Sequence, residues 1–421
     1  HILMSGIRVN EWLHNSGTGG IWQTSAGNVG IASSVPTTKL EVTGDAKISG
    51  VTTAAAFIPS GGQLSNRNLI INGAMQVAQR ATTSTSTSNY YQTLDRWSIG
   101  QSGLDEAPTQ AQVALTSSDT GPWAKGFRKA LQVTNGNQTS GAGAADILQI
   151  LYKMEAQDIA NSGWDYTSTS SYITYSFWVK SSITQNFNGR INTPDGTGQN
   201  YHFQTGSLSA NTWTYVTKTL PGNSNITVNN DTGEGFRIYL YPFAGTDNTE
   251  SITLNQWSTN TTCGPDMTST WYTTNDSTFA LTGVQLEVGS VATPFEHRSY
   301  GDELTKCQRY FWQATKQGST SDVTNKGLCM VAYTSSSEIR GTLEFPVEMR
   351  TQPTLSSNDT SNSWYVNAGT SADFFDRLDL YSATAKRAVV RNTAHVSGTA
   401  GAGGMVAQET GDSSLSFSAE L

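Results

Sequence analysis

The stretch ITYSFWVKS, residues 173–181, alternates without a break. Ile173, Tyr175, Phe177 and Val179 share one face, and Thr174, Ser176, Trp178 and Lys180 share the other. Successive side chains of an extended chain point to opposite sides, so this period of two predicts a half-buried strand. Trp178 falls on the polar face and is expected to lie under another layer of the protein.

The same pattern recurs on both sides of this stretch. NTWTYVTKTL (211–220) and GFRIYLYPF (235–243) have β composition, and DILQILYKMEAQDIANSG (146–163) sets Leu148, Ile150, Tyr152 and Met154 on one strand face before a helical turn past Ala156. FALTGVQLEV (279–288) alternates through Phe279 and Leu281, then changes phase to Val284, Leu286 and Val288. A one-residue slip would turn every side chain over, so a β-bulge at Thr282-Gly283 is expected. Strands separated by polar turns over residues 65–300 read as a jelly roll or sandwich.

Residues 301–421 read as a second, smaller β-sandwich preceded by one helix. GDELTKCQRYFWQAT sets Leu304, Cys307, Phe311 and Ala314 at helical spacing behind an expected Asp302 N-cap. IRGTLEFPVEM sends Ile339, Leu343, Phe345, Val347 and Met349 one way, with Pro346 confining the run to a sheet edge or a bulge. The final SLSFSAEL, with Leu415, Phe417, Ala419 and Leu421 inward and serines outward, reads as a core strand.

Residues 1–64 differ. Short β-prone runs (Asn28–Ile31, Lys39–Val42, Ala46–Ile48) carry one or two large apolar residues each between Gly, Ser and Pro breaks. Such a segment has too little core to offset chain entropy alone. It is a flexible leader or one strand of a multi-chain stem, and the regular turn spacing favours the stem.

Composition narrows the function. Charged residues make up 14 % of the 421, against about 25 % in ordinary soluble proteins. The net charge of −8, with no basic run, excludes a phosphate-backbone ligand such as nucleic acid. No 18-residue apolar run predicts a membrane span, and HILMSGIRVNEW lacks the charged-then-apolar form of a signal peptide. Cys263, Cys307 and Cys329 are odd in number and lack CxxC spacing, so they predict free thiols. The five histidines show no ligand spacing and no metal site is expected; no cofactor fingerprint is present either. GAGAAD (141–146) and GAGGMV (401–406) lack the later glycine of a dinucleotide loop.

No catalytic residue is assigned. Asp195, Asp231, Glu234, Asp247 and Glu250 are carboxylates of the type that cleaves glycosidic bonds, but Asp195 and Asp231 lie in turn-like TPDGTG and NNDTGEG. Binding is the preferred reading, because sugar C–H faces stack on aromatic rings. The expected ligand contacts are loop aromatics: Trp257, Trp271 and Tyr272 in the polar stretch 255–277, with Trp123, Trp164, Tyr166 and Tyr201. The competing reading of that stretch is a loop folded over a sheet with its rings buried, or a contact between subunits.

Three resemblances accumulate. GNVGIASSVPTTKLEVTGDAKISG (27–50) is similar to a short repeat in the trimeric stems of bacteriophage tail fibres, with GIAS where the usual form continues GIG. NLIINGAMQVAQR (68–80) with YYQTLDRW (90–97) looks like the opening of a jelly-roll domain of phage fibres and other virion proteins. YSFWVKSS, NTWTYVTKTL and FALTGVQLEVGSVATPFEHRS resemble strands of carbohydrate-binding module families 4 and 9, and PFEHRSYGDELTKCQRYF (294–311) resembles a junction recurrent after that domain in phage proteins. The resemblances imply a homotrimeric, non-catalytic tail fibre of the virion. Its first segment would join other tail proteins, and its β domains would bind a bacterial surface glycan outside the cell. A structural virion component, such as a head fibre or decoration protein, is the alternative; a polysaccharide depolymerase comes third. In this reading Arg80, Asp95 and Arg96 are structural.

Overall fold

The computed structural model describes residues 11–13, 20–43, 46, 65–85, 90–315, 326–357, 361–368, 371–409 and 413–421. The chain divides into two compact units, residues 1–58 and 59–421.

In the first unit, Glu11–Leu13, Gly20–Gln23 and Val29–Ile31 pair antiparallel, and Leu40–Val42 joins the last of them in parallel. The Glu41 carboxylate accepts from Ser33 Oγ at 2.6 Å and from the Thr37 N–H at 2.9 Å, which ties the intervening loop to the sheet. Ile21, Ile31, Val35 and Leu40 stay exposed. Of the expected run Ala46–Ile48, residues 47 and 48 lie outside the described residues.

The second unit opens with a jelly-roll β-sandwich of two antiparallel six-stranded sheets. One runs, in spatial order, Thr214–Pro221, Tyr172–Ser181, Thr278–Val288, Lys129–Thr134, Thr109–Ala114 and Thr83–Ser84. The other runs Trp257–Ser258, Gln199–Leu208, Gln185–Thr193, Glu234–Ala244, Ile147–Glu155 and Trp97–Ser102. The inward residues of the alternating stretches, Ile173, Tyr175, Phe177 and Val179 with Leu148, Ile150, Tyr152 and Met154, fill the core between them. The expected phase change is present: Ser176 faces Gln285 but Trp178 faces Thr282, and Gly283 takes φ +61° at the bulge.

LIINGAMQVAQR docks on its own jelly roll. Ile70, Met75 and Val77 are fully buried, and Gly73 O accepts from Val284 N–H at 2.9 Å. Asn72, at φ +60°, is the pivot: its side chain accepts from Val77 N–H at 3.0 Å and donates to Val77 O and Asp95 O. Asparagine tolerates this left-handed conformation better than other non-glycine residues. The distant PFEHRS stretch closes over it, with Glu296 accepting from Asn68 N–H at 2.9 Å and Arg298 donating to Ile70 O at 3.0 Å. Two sequence motifs joined by contacts across 228 positions are thus halves of one clasp.

The helix that follows spans Tyr300–Gln308, and its N-cap is Ser299, not Asp302. Ser299 Oγ accepts from Asp302 N–H at 3.1 Å, while the Asp302 carboxylate accepts from Ser299 Oγ, so Asp302 supports the cap from inside the first turn. Phe311 and Ala314 are not helical; they belong to the strand Phe311–Thr315, because Tyr310 and Phe311 turn inward to meet Arg96 and Arg80. A three-stranded sheet (Phe311–Thr315, Leu415–Ser418, Thr354–Ser357) and a seven-stranded sheet enclose a separate core of Ile339, Leu343, Phe345, Trp364 and Phe417. Glu338–Glu344 lies inside the larger sheet, between Lys326–Ser335 and Arg387–Asn392, so Pro346 sits just beyond the strand and leaves it free of an edge. Leu415–Ser418 is the central strand of the smaller sheet, with Leu415, Phe417 and Ala419 buried.

Candidate ligand-binding groove

The outer face of the first jelly-roll sheet carries a groove of about 540 Å3. Its floor follows from strand register. Trp178 pairs with Tyr215, and because Phe177 and Val216 point into the core, both rings must point out. Their centroids are 5.2 Å apart at an interplanar angle of 42°, and Tyr215 is 42 % exposed. Beside them the bulge contributes bare floor: a Cβ on Gly283 would stand 2.6 Å from Phe127 Cζ.

Two walls rise from this floor. One is the 121–127 segment with Phe127; the other is 292–297 with Phe295 and His297. Phe127 and Phe295 meet edge-on at 4.8 Å, and His297 packs 5.1 Å and 4.9 Å from them. His297 Nε2 donates to Lys125 O at 2.8 Å, closing one wall on the other.

Each wall is held by a buried or half-buried carboxylate. Asp119 accepts from Lys180 Nζ at 2.8 Å, Trp213 Nε1 at 2.9 Å and Thr116 N–H at 3.0 Å. Burial acts to raise its pKa, but these hydrogen bonds outweigh it and hold the group down at about 2. Glu287 accepts from Thr293 N–H at 2.8 Å, Thr293 Oγ1 at 2.6 Å and Gln285 Nε2 at 2.8 Å, fixing the second wall to the strand beneath it. The result is a preformed aromatic platform with a polar margin, which suits a flat ligand with C–H faces and hydroxyl edges.

The aromatics expected from sequence are mostly elsewhere. Trp271 and Tyr272 are fully buried: Trp271 Nε1 donates to Thr278 O at 3.0 Å, and Tyr272 stacks on Phe243 at 4.2 Å. The 255–277 stretch therefore folds its rings inward, as its competing reading had it. Trp164 packs edge-on to Phe236, and Tyr201 packs against Trp257; both Trp164 and Tyr201 are core residues, not ligand contacts. Trp257 and Tyr166 are half-buried against that core, with Trp257 Nε1 donating to Pro221 O at 2.7 Å. Trp123 alone of the seven joins the outer aromatic cluster that holds Phe127, Trp178 and Phe295, where Arg128 lies 3.7 Å above its ring. Trp178, expected under a covering layer, is instead half-open.

Trp178, Tyr215, Phe127, Phe295 and His297 were not singled out by composition. The signal that marks them is the bulge glycine next to outward aromatics on two paired strands, which requires the pairing to be known.

Four of the five candidate carboxylates are held by neighbouring groups. Asp195 accepts from Asn229 N–H at 2.8 Å, Asp231 from Gly233 N–H at 2.9 Å, and Glu250 from Asn260 Nδ2 at 2.8 Å. Glu234 pairs with Arg237 and with Lys153, and Asp247 lies in a short 3-10 turn. Among the described residues no cluster of three His, Cys, Asp or Glu could hold a metal ion. Cys263 and Cys307 are buried free thiols and Cys329 a half-buried one.

No family model matches the chain, and no curated protein does. Among solved structures, the enzymatically active domain of tailspike protein 4 from bacteriophage CBA120 is similar at 12 % identity and a TM-score of 0.28, over 52 % of this chain and 21 % of that one. A family 4 carbohydrate-binding module aligns at 12 % identity and a TM-score of 0.27, over 52 % of this chain and 97 % of its own. The N-terminal cellulose-binding domain of Cellulomonas fimi β-1,4-glucanase C aligns at 10 % identity and a TM-score of 0.25, over 52 % and 99 %.

Proposed function

We propose that this chain is a non-catalytic phage tail-fibre protein that binds a bacterial surface polysaccharide through the Trp178–Tyr215 groove. The observation that carries the proposal is the outward aromatic pair, set on a rigid strand register and walled by Phe127, Phe295 and His297. A preformed aromatic site costs little ordering entropy on binding, which is what weak, repeated sugar contacts require.

The organisation proposed is a stem over 1–64, a glycan-binding jelly roll over 65–300 and a C-terminal β domain over 301–421. The first segment would attach to other tail proteins and bring three copies together. The exposed Ile21, Ile31 and Leu40 of its thin sheet support that reading, since a lone copy leaves them in water. Three heads on one stem raise the effective concentration of each site toward about millimolar. Purified protein at saturation is expected to block phage adsorption to its host, and the Trp178→Ala protein is expected to block it far less. Equal blocking by both proteins, or none by either, contradicts the proposal; the first outcome returns the groove to a structural role.

A further inference from the structure

A second cavity lies at the seam between the two sandwiches, about 390 Å3 in volume, and shares no lining residue with the groove. One of its walls is the outward face of the three-stranded sheet. Register makes that face: Gln313 pairs with Ser416 and Ser416 with Ser356, while Ser418 pairs with Thr354. The intervening Trp312, Phe417 and Leu355 point the other way, into the core. The cavity therefore looks onto a short lawn of hydroxyls, of which Ser356, Ser416 and Ser418 have no side-chain hydrogen bond to a described residue.

Tyr90, Tyr91 and Arg80 form the opposite side. Two polar atoms of the lining residues, Tyr91 Oη and Gln313 Oε1, are buried with no hydrogen-bond partner among the described residues. Buried polar atoms are paired in all but a few cases, and two orphans beside one cavity point to a guest that pairs with them. Tyr90 supplies the apolar element. It is 73 % exposed at the cavity lip and holds φ +117°, a conformation that L-residues rarely adopt, secured by its N–H bonding to Ile99 O at 3.1 Å. Such strain tends to persist where it serves a site.

The charge state selects the guest. Arg80 already meets Glu420 at 3.1 Å and Asp95 at 3.7 Å, so its charge is met within the protein and an anionic ligand gains little. A neutral guest with hydroxyls and one C–H face satisfies every feature. We infer that the seam cavity binds a neutral sugar unit, with Tyr90 against its face and Gln313, Tyr91 and the Ser416 and Ser418 hydroxyls on its edge. The inference rests on the glycan-binding reading and adds to it a second site of the same ligand class, on a different surface.

The test titrates glucose, galactose, mannose, rhamnose and N-acetylglucosamine separately into the full chain, with Tyr and Trp side chains isotope-labelled for NMR. At least one of these sugars is expected to shift Tyr90 and Tyr91 saturably. Tyr90→Gly, which removes the ring and suits the backbone, and Ser416→Val are each expected to weaken that response about ten-fold, equal to about 1.4 kcal/mol, while any response at Trp178 stays unchanged. Shifts confined to Trp178 and Tyr215 overturn the seam site and leave the groove. Shifts confined to Tyr90 and Tyr91 support the seam site and overturn the groove. No saturable shift at either pair overturns both.

Discussion

Arg96 and Glu420 form a buried ion pair across 324 positions of sequence. Arg96 is fully buried, with its guanidinium 3.5 Å from the Tyr310 ring centroid. The same carboxylate takes Arg80 at 3.1 Å, while Arg350 donates to Glu420 O at 2.8 Å and Ala419 O at 2.7 Å. The lead-in of the jelly roll is therefore bolted to the last strand of the second sandwich. Burial alone would lower the Arg96 pKa, but Glu420 and the surrounding tyrosines hold it well above the ordinary value. Removing one partner leaves a charge buried and unpaired, which typically costs about 3–5 kcal/mol. Glu420→Gln is expected to lose stability on that scale in urea denaturation, and a change within experimental error would show the pair to be dispensable.

Trp178→Ala and Trp271→Ala separate binding from stability. Trp178 is half-open, so its loss is expected to lower the urea midpoint clearly less than a core truncation does while weakening polysaccharide binding. Trp271 is sealed in the core, and its truncation is expected to cost about 3–5 kcal/mol with no selective effect on the groove. Paired denaturation and binding curves for the two variants read both effects directly.

Gly283→Ala tests the floor. A side chain there meets both a φ of +61° and the Phe127 ring at 2.6 Å. The expected loss is about 1–3 kcal/mol, with weaker binding because Phe127 must move into the groove. Retained stability together with unchanged binding would mean that the bulge does not shape the site.

The Arg80, Asp95 and Glu420 cluster also sets a pH dependence. Burial raises the Asp95 pKa to about 6 against the lowering influence of Arg80 and Gln79. A carboxyl whose folded pKa exceeds its unfolded value stabilises most below the unfolded value near 3.8, and that contribution fades as pH rises through about 6. Its size is on the order of 2–3 kcal/mol. Asp119, held at about 2, acts oppositely: its contribution is present above about 3.8 and lost as pH falls toward 2. Urea midpoints between pH 4 and 7 are expected to fall more steeply in the wild type than in Asp95→Asn; parallel curves would remove Asp95 as the cause.

Much of the fold was legible because a period of two is a local property. The faces of 173–179, the serine–apolar alternation of 415–421 and the phase slip at Gly283 all follow from neighbouring residues alone. What stayed hidden depends on partners far away. Alternation alone puts Trp178 on the polar face of its strand, but only the tertiary packing decides that this ring stays half-open while Trp271, in a polar stretch, turns inward. The Arg96–Glu420 pair, the Glu296–Asn68 clasp and the hydroxyl lawn at the seam likewise join segments that no spacing rule connects. Ser299 takes the cap position expected of Asp302, because both residue types favour helix starts and only the geometry assigns their order.

The groove's role is tested most directly by affinity electrophoresis of the full chain through gels containing bacterial surface polysaccharides, run beside Trp178→Ala and Tyr215→Ala. The expected result is that at least one polysaccharide retards the parent chain and that both variants regain most of their mobility in the same gel. Retardation of all three proteins to the same extent, or of none in any polysaccharide, would contradict a glycan site at this platform.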